Sequence, residues 1–186
     1  MFYFFLYSYL AATYKNGATC TADGIVLDGN DDYVDIDDFE FGGTISVEVF
    51  IKYDSFNSWS RVLDFGGSGG KTGGENIILA NEGTSSKIVW EVRNGLIGRH
   101  VYDGTFDGWT HVVVTVKGDT MKVYKNGAFV DSSTVAWEPR TTTRTNHWLG
   151  KSSHTGDGNF DGTIAYLKMW NDEVRRQPFY SLPESN

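Results

Sequence analysis

The stretch that decides the fold is WTHVVVTVKGDTMKVYKNGAFV, residues 109–130. From Val112 to Val116 every second residue is valine and the residues around them are mostly polar, which is the period of a strand with one buried face. The Gly118-Asp119 pair then reverses the chain. Asn126-Gly127 reverses it again, because both central residues of a type I′ turn need positive φ, which Asn-Gly adopts at low cost. The stretch therefore predicts two consecutive antiparallel hairpins.

The same alternation occurs on both sides of this stretch. In Thr44–Lys52, every second residue from Ile45 to Ile51 is Ile or Val, so one face of a strand is predicted to lie in the core. Further short runs separated by Gly, Asn and Asp clusters are 24–27, 33–36, 61–65, 76–80, 87–92, 147–149 and 163–170. About a dozen short strands of this kind predict an all-β protein, an antiparallel two-sheet β-sandwich of the jelly-roll type. The connections predicted as loops are Gly66–Glu75, Asn94–Asp107, Trp137–Asn146 and Lys151–Asn159.

Composition limits the classes of protein to consider. The 186 residues fit one domain, and 22 Gly, 12 Phe, 10 Tyr and 6 Trp are typical of strands and turns with a large core. A formal net charge of −8 argues against nucleic acid as a partner, since phosphate backbones would be repelled. The single cysteine, Cys20, excludes an intrachain disulfide framework.

The N-terminal run Met1–Ala12, MFYFFLYSYLAA, is apolar but too short to span a membrane, which takes about 20 residues. Two interpretations remain open, a leader remnant and a first strand docked on the domain. We therefore divide the chain into an N-terminal apolar segment (1–23), one jelly-roll domain (24–171) and a C-terminal tail (172–186). No transmembrane segment is expected.

Three segments carry a resemblance to a known family. They are GIVLDGNDDYVDI (24–36), WTHVVVTVKGDTMKVYKNG (109–127) and WLGKSSHTGDGNFDGTIAYLKMW (148–170), and their order and spacing match as well. The chain resembles the laminin G-like, pentraxin-like branch of the concanavalin A-like lectin/glucanase superfamily. The resemblance implies a concanavalin A-like jelly roll and a non-catalytic recognition module for glycans or proteins, extracellular or surface-associated, and often part of a larger chain.

Carbohydrate binding calls for aromatic platforms against sugar rings and planar polar groups for hydroxyls. The candidate ligand-binding residues are loop side chains at Trp59, His100, Tyr102, Trp137 and His154, with Arg61, Asp64 and Glu91 projecting from strands. A loop tryptophan can also serve as a lid on the edge of the sandwich. The other four tryptophans fall on strand patterns and are predicted to lie in the core: Trp90, Trp109, Trp148 and Trp170.

A structural calcium ion is a further expectation. Calcium takes six to eight oxygen ligands, and acidic Gly-rich turns supply them. The resemblance implies an ion that joins the two ends of the domain, which nominates Asp28 and Asp161 as ligands. The alternative is that both aspartates form Asx turns with neighbouring backbone N–H groups.

An enzymatic function is the main alternative to binding. Retaining glucanases of the superfamily carry acidic residues in alternation on one strand, and Asp35-Ile36-Asp37-Asp38-Phe39-Glu40 partly has this spacing. The segment starts with Asp instead of Glu and precedes the central strand Thr44–Lys52, so an acidic solvated bend is favoured. We expect a non-enzymatic module that binds glycans or glycoproteins. The alternatives are a polysaccharide hydrolase or lyase and a structural or adhesion domain of a larger surface or virion assembly.

Overall fold

The computed structural model describes residues 10–66, 74–93, 97–134 and 137–173. Within these ranges the chain forms sixteen β-strands and no helix. The strands are β1 (Ala12–Lys15), β2 (Thr19–Cys20), β3 (Ile25–Asp28), β4 (Tyr33–Ile36), β5 (Glu40–Phe41), β6 (Ile45–Ser55), β7 (Arg61–Gly66), β8 (Ile77–Asn81), β9 (Lys87–Arg93), β10 (Ile97–Thr105), β11 (Trp109–Lys117), β12 (Thr120–Lys125), β13 (Ala128–Ser133), β14 (Thr142–Thr143), β15 (Asn146–Leu149) and β16 (Asp161–Trp170).

The strands form two seven-stranded antiparallel sheets. Sheet A has the order β1-β4-β15-β7-β8-β9-β10 and sheet B the order β13-β12-β11-β6-β16-β3-β2, while β5 and β14 pair separately. Both predicted hairpins are present, and the second turn has φ of 50° at Asn126 and 77° at Gly127, as a type I′ turn requires. The predicted all-β, antiparallel two-sheet sandwich is confirmed.

The core lies between the two sheets, where the alternating residues of each strand point inward. Ile45, Val47, Val49 and Ile51 of β6 are all fully buried, as the period of two predicts. From sheet A, the fully buried Trp90 indole crosses this core, and its Nε1–H donates a hydrogen bond of 3.1 Å to the Thr115 carbonyl of sheet B. Trp90 therefore links the two sheets by packing and by a hydrogen bond.

Two predictions about the middle of the chain are wrong. The segment Asn94–Asp107 was predicted to be a loop, but it contains β10, which pairs with β9 and forms one edge of sheet A. The Gly-rich, irregular sequence of this segment does not show the alternation of a strand, and pairing with β9 overrides the local signal.

Trp109, predicted to lie in the core, is 39% exposed because it lies on the outward face of β11, as His111 does. Trp148 and Trp170 are only half-buried.

The sheets extend into the N-terminal segment. β1 pairs with β4, and β2 pairs with β3, so residues 12–15 form an edge strand of sheet A. This strand includes only Ala12 of the run Met1–Ala12, and both interpretations of that run stay predictions. Residues 1–9 lie outside the described part of the chain. In the described ranges there is no helix of the length and apolarity that a membrane span requires.

A buried histidine gives the fold a predicted sensitivity to acid. The His147 ring is fully buried and stacks on Phe39 with 3.9 Å between ring centroids. Burial, and then the nearby charge of Arg144, lowers the pKa of His147 to about 4. The unfolded chain binds a proton near pH 6.5 and the native protein does so only near pH 4, so stability falls as the pH drops through this window.

We expect urea unfolding to show a loss on the order of 2 kcal/mol between pH 7 and pH 4.5 that is attributable to His147. The variant His147→Leu keeps an apolar side chain in the core and cannot titrate. Its stability should therefore depend less steeply on pH than that of the wild type over the same window. Parallel curves for the two proteins would contradict the assignment.

Candidate functional site

The candidate site lies on the outer face of sheet A, and a bulge in β7 builds it. Arg61 pairs with Ala80 and Asp64 pairs with Ile78, with a register shift between Arg61 and Leu63. Strict alternation would place Arg61 on the core face with Leu63. Because the bulge inserts one residue, both Arg61 and Asp64 belong to the outer face. We call this region the sheet A face.

Asp64 is fully buried beneath the Lys151–Asn159 loop. Its Oδ1 accepts a hydrogen bond from Asn76 Nδ2 at 2.7 Å, and its Oδ2 accepts bonds from the backbone N–H and the hydroxyl of Ser153, both at 2.9 Å. Three donors thus compensate the loss of water around this carboxylate. The same bonds fix the loop onto the sheet.

Arg61 makes the second attachment of the loop. Its Nη2 donates to Asp157 Oδ2 at 2.6 Å, and its Nε lies 3.3 Å from Ser152 Oγ. The Ser152 hydroxyl in turn donates to the same oxygen of Asp157 at 2.7 Å. Since the Arg61 side chain is only 5% exposed and that of Asp157 17%, this is a largely desolvated ion pair.

A third charged group lies at the end of β9. The guanidinium of Arg93 contacts Glu91 Oε1 through Nε, and its Nη1 lies 2.6 Å from His154 Nε2. A guanidinium can only donate, so His154 Nε2 accepts and the imidazole is neutral. Burial, followed by the charge of Arg93, lowers the pKa of His154. His154 is thus held as a neutral ring at the surface of the network.

Trp59 lies beside this network in a strained conformation. Its φ of 54° is in the left-handed region, which is an outlier for a bulky residue. The backbone N–H of Trp59 donates to the Gly83 carbonyl at 2.7 Å. Its half-buried ring packs on Ile78, Ala80 and Val89, a separate apolar cluster that lies on the outer side of the sheet. Such strain is concentrated at ligand-binding and active sites and needs surrounding contacts to maintain it.

The structure thus brings together five of the eight candidate binding residues, namely Trp59, Arg61, Asp64, Glu91 and His154. Together they offer an aromatic ring on an apolar floor next to guanidinium, carboxylate and imidazole groups, the combination that stacks on sugar rings and hydrogen-bonds hydroxyls. Ser152 and Ser153 also belong to this network but were not among the predicted site residues. The only signal was their place in the polar loop between β15 and β16.

The other three candidates, Trp137, His100 and Tyr102, are not among the described members of this network. Trp137 follows β13 near Glu138, whose carboxylate contacts Thr44 at the start of β6, whereas Trp59 follows the end of β6. Trp137 is therefore at the opposite end of the sandwich. His100 and Tyr102 are on β10, in register with Trp90 and Ile88, instead of on a loop. Their side chains lie outside the described part of the chain.

The expected neighbours Asp28 and Asp161 are register partners on β3 and β16. The carboxylates that come within 4.8 Å of one another are, however, those of Asp28, Asp31 and Asp32. Both oxygens of Asp28 accept hydrogen bonds from Asn30, at 2.9 Å each, and these bonds lower the pKa of Asp28. Burial and the charge of Asp28 raise the pKa of Asp32. We call Asp28, Asp31 and Asp32 the acidic edge.

One side chain connects the acidic edge to the candidate site. Asn57 Nδ2 donates to the Gly29 carbonyl at 3.1 Å and to the Asn159 carbonyl at 3.0 Å. Gly29 has φ of 76°, and a Cβ at this position would lie 2.7 Å from Asp161 Cβ. The turn after β3, the turn that carries Trp59 and the loop after β15 are therefore packed into one unit.

Two stacked seven-stranded antiparallel sheets define a jelly-roll β-sandwich. A laminin G family model, described as concanavalin A-like lectin/glucanases superfamily, matches residues 28–177. The chain belongs to this superfamily. A search of curated proteins finds no match by sequence.

Three solved structures with low sequence identity share the fold. A carbohydrate-binding module (CBM40) of the Ruminococcus gnavus IT-sialidase, bound to alpha2,3 sialyllactose, is 14% identical with a TM-score of 0.65, and the match covers 82% of this chain and 91% of that one. Domain 4 of the Geobacillus stearothermophilus arabinanase AbnA, in complex with arabinotriose, is 17% identical with a TM-score of 0.63, covering 86% and 81%. The SAP-like pentraxin of Limulus polyphemus is 10% identical with a TM-score of 0.56, covering 77% and 71%.

Proposed function

We propose that this chain is a non-catalytic carbohydrate-binding module whose ligand lies on the sheet A face. The observation that carries the proposal is the strained Trp59, held over an apolar floor on the same face of sheet A as the Arg61–Asp157 and Arg93–His154 contacts. Strain of this kind at the start of β7 suits a ring that must be presented in one orientation. Similar folds solved with sialyllactose and with arabinotriose support a glycan ligand.

The charged groups at this face suit a recognition role. Arg61, Asp64 and Glu91 are almost fully buried, so they pre-organise the site, while the half-buried Arg93, His154 and Trp59 are the groups that a ligand can reach. A rigid, pre-formed face reduces the ordering cost of binding. The module is proposed to act outside the cell or at a surface, on glycans or glycoproteins.

The catalytic alternative depends on Asp35–Glu40, which lies on β4, β5 and the bend between them instead of on β7 to β9. Asp37, Asp38 and Glu40 are exposed, and Asp37 Oδ2 accepts a hydrogen bond from the Ala11 N–H. This supports the solvated bend and a module without hydrolytic activity. Release of reducing ends from a polysaccharide, lost in Glu40→Gln, would overturn the non-catalytic part of the proposal.

The binding site is tested with a glycan array followed by titration calorimetry on the best ligand. Trp59→Ala should weaken binding at least tenfold, because the ring is the proposed platform, while retaining a folded protein by circular dichroism. Trp137→Ala is the matched control, a half-buried loop tryptophan at the other end of the sandwich, and should change affinity less than twofold. The reverse pattern would move the site to the Trp137 end.

We further propose that the acidic edge holds a structural Ca²⁺. Three carboxylates within 4.8 Å repel one another, and a hard cation with oxygen ligands would relieve that repulsion. Asp28 would be one ligand, with Asp31 and Asp32 next to it, while Asp161 is its register partner on β16. An ion here would stabilise the turn that Asn57 ties to Trp59.

Calcium at about 100 times its Kd should raise the melting temperature by about 5–10 °C over the value in chelator, because only the folded chain would bind it. Asp31→Asn should abolish this shift. Asp161→Asn distinguishes a site at Asp28, Asp31 and Asp32 from a site at Asp28 and Asp161. If the shift in melting temperature disappears only in Asp161→Asn, the ion lies between β3 and β16. A melting temperature indifferent to chelator would contradict the calcium proposal.

A further inference from the structure

Three aromatic side chains lie next to one another on the outer face of sheet B. Trp109 of β11 stacks on Phe50 of β6 with 5.0 Å between ring centroids and 29° between ring planes. Phe50 lies 6.0 Å from Tyr166 of β16, its register partner. These strands are neighbours in the order β11-β6-β16, so the rings form a row across the sheet, which we call the aromatic band.

The fold alone does not account for the exposure of this band. Outward positions of an antiparallel sheet that faces water are normally polar. Trp109 is 39% exposed, one of three large hydrophobic side chains that are exposed within the described ranges. Cross-strand aromatic contacts stabilise a sheet, but they give no reason for the largest ring to keep an open surface.

Polar groups surround the band, and their charges are compensated within the face. Glu48 accepts a hydrogen bond from Tyr166 at 2.9 Å and pairs with Lys168 and His111, each at 3.2 Å. Burial opposes ionisation of Glu48, but these partners outweigh it and lower its pKa to about 2. Beside Trp109, Lys52 is paired with Asp54 at 2.6 Å. Next to the rings, the charge of Glu48 is therefore balanced by Lys168 and that of Lys52 by Asp54.

We infer that the aromatic band is a second carbohydrate-contacting surface, which takes an uncharged glycan chain along the outer face of sheet B. Stacked rings beside hydroxyl, carboxylate and ammonium groups match the apolar faces and hydroxyls of neutral sugars. Because the charges next to the rings are paired with one another, they offer no counter-charge for an anionic or cationic glycan. The inference does not rest on the site proposed above, because the two faces share no residue and lie on different sheets.

A second copy of the chain or another protein fits this surface less well. Trp109 is the one exposed ring of the band, at 39%, while Phe50 and Tyr166 are half-buried, so the apolar area is small beside the about 800 Å² per partner of a stable protein interface. Charged residues are also depleted at the centre of such interfaces. Here Glu48 and Lys168 lie next to the rings.

The test is affinity electrophoresis in gels that contain a neutral arabinan, a neutral β-glucan, a neutral mannan or the anionic polygalacturonate. The wild type should be retarded by at least one neutral chain, and Trp109→Ala should weaken that interaction at least fivefold. Trp109→Phe keeps a ring and should stay within twofold. Phe129→Ala, which removes another exposed ring from the edge strand β13, should also stay within twofold.

A second measurement avoids dependence on a destabilised variant. The difference between the wild type and Trp109→Phe in acrylamide quenching of tryptophan fluorescence isolates Trp109, and saturating neutral polysaccharide should reduce that difference. Trp137 lies away from both faces, so Trp137→Ala should leave both results unchanged. A polysaccharide whose retardation falls in Trp59→Ala but not in Trp109→Ala reports on the sheet A face alone, so failure of that face and failure of the band are distinguishable. The inference is overturned if the wild type binds no neutral chain, or if Trp109→Ala binds as the wild type does. It is also overturned if this variant lowers self-association in sedimentation instead.

Discussion

Replacing Asp64 by alanine is expected to lower the free energy of unfolding by about 3 kcal/mol, which is large for a residue outside the central core. The carboxylate is fully buried, and the change leaves the donors on Asn76 and Ser153 without the acceptor that they share. Because both bonds from Ser153 are lost, the Lys151–Asn159 loop loses one of its two attachments and is held to the sheet mainly by Arg61. The loss is measured by urea unfolding at pH 7.

Asp35→Ala is the matched control. Asp35 lies in the same row of sheet A, since Trp148 pairs with Asp35 on one side and with Asp64 on the other, but it is only half-buried. Its removal should cost less than about 0.5 kcal/mol, as is usual for surface substitutions. Equal effects of the two substitutions would mean that the three hydrogen bonds to Asp64 contribute little to stability. Glycan affinity should fall in Asp64→Ala alone, because His154 loses its support.

Trp90→Ala should be the most damaging single substitution in the core, with a loss of about 4 kcal/mol. The indole fills the space between the sheets and donates to Thr115 of the opposite sheet, so its removal leaves a cavity and deletes the hydrogen bond between the sheets. Unfolding by guanidinium should show the loss as a shifted midpoint with an unchanged slope.

Two comparison variants divide this loss into its parts. Trp90→Phe retains most of the volume and deletes the hydrogen bond, so its smaller loss reports mainly on the contact with Thr115. Trp170→Ala removes a half-buried indole from the end of β16, and a cost of about 1 kcal/mol is expected there. If Trp170→Ala cost as much as Trp90→Ala, indole burial between the sheets would not be the stabilising factor.

Strand period was sufficient to predict the sandwich, because most strands bury one face and leave the other to water. Thr44–Lys52 is the clearest example, with Ile45 to Ile51 alternating into the core and Glu48 and Phe50 on the other side. The same alternation already placed Trp109 outward with His111. The prediction that every tryptophan on a strand lies in the core was therefore wrong, because it rested on the hydrophobicity of the side chain and not on its position in the alternation.

The candidate site was predictable in its residue types but not in its assembly. Arg61 reaches the face that carries Asp64 only through the β7 bulge, and a bulge leaves little trace in a sequence that already alternates imperfectly. Ser153 binds Asp64 across 89 positions of chain, a contact that local patterns do not contain. The strand β10 was missed because its pairing with β9, instead of its own sequence, determines its conformation.

The Asn57 side chain couples the opening of the loops at this end of the sandwich. Its amide donates to the turn after β3 and to the loop after β15 at once, so neither can open without breaking a bond to the segment that carries Trp59. Local opening in proteins occurs in contiguous cooperative units. The acidic edge and the sheet A face then form one such unit. A cation that rigidifies the acidic edge would therefore increase the affinity of the sheet A face for a glycan. By thermodynamic reciprocity, a bound glycan would increase the affinity of the acidic edge for the cation.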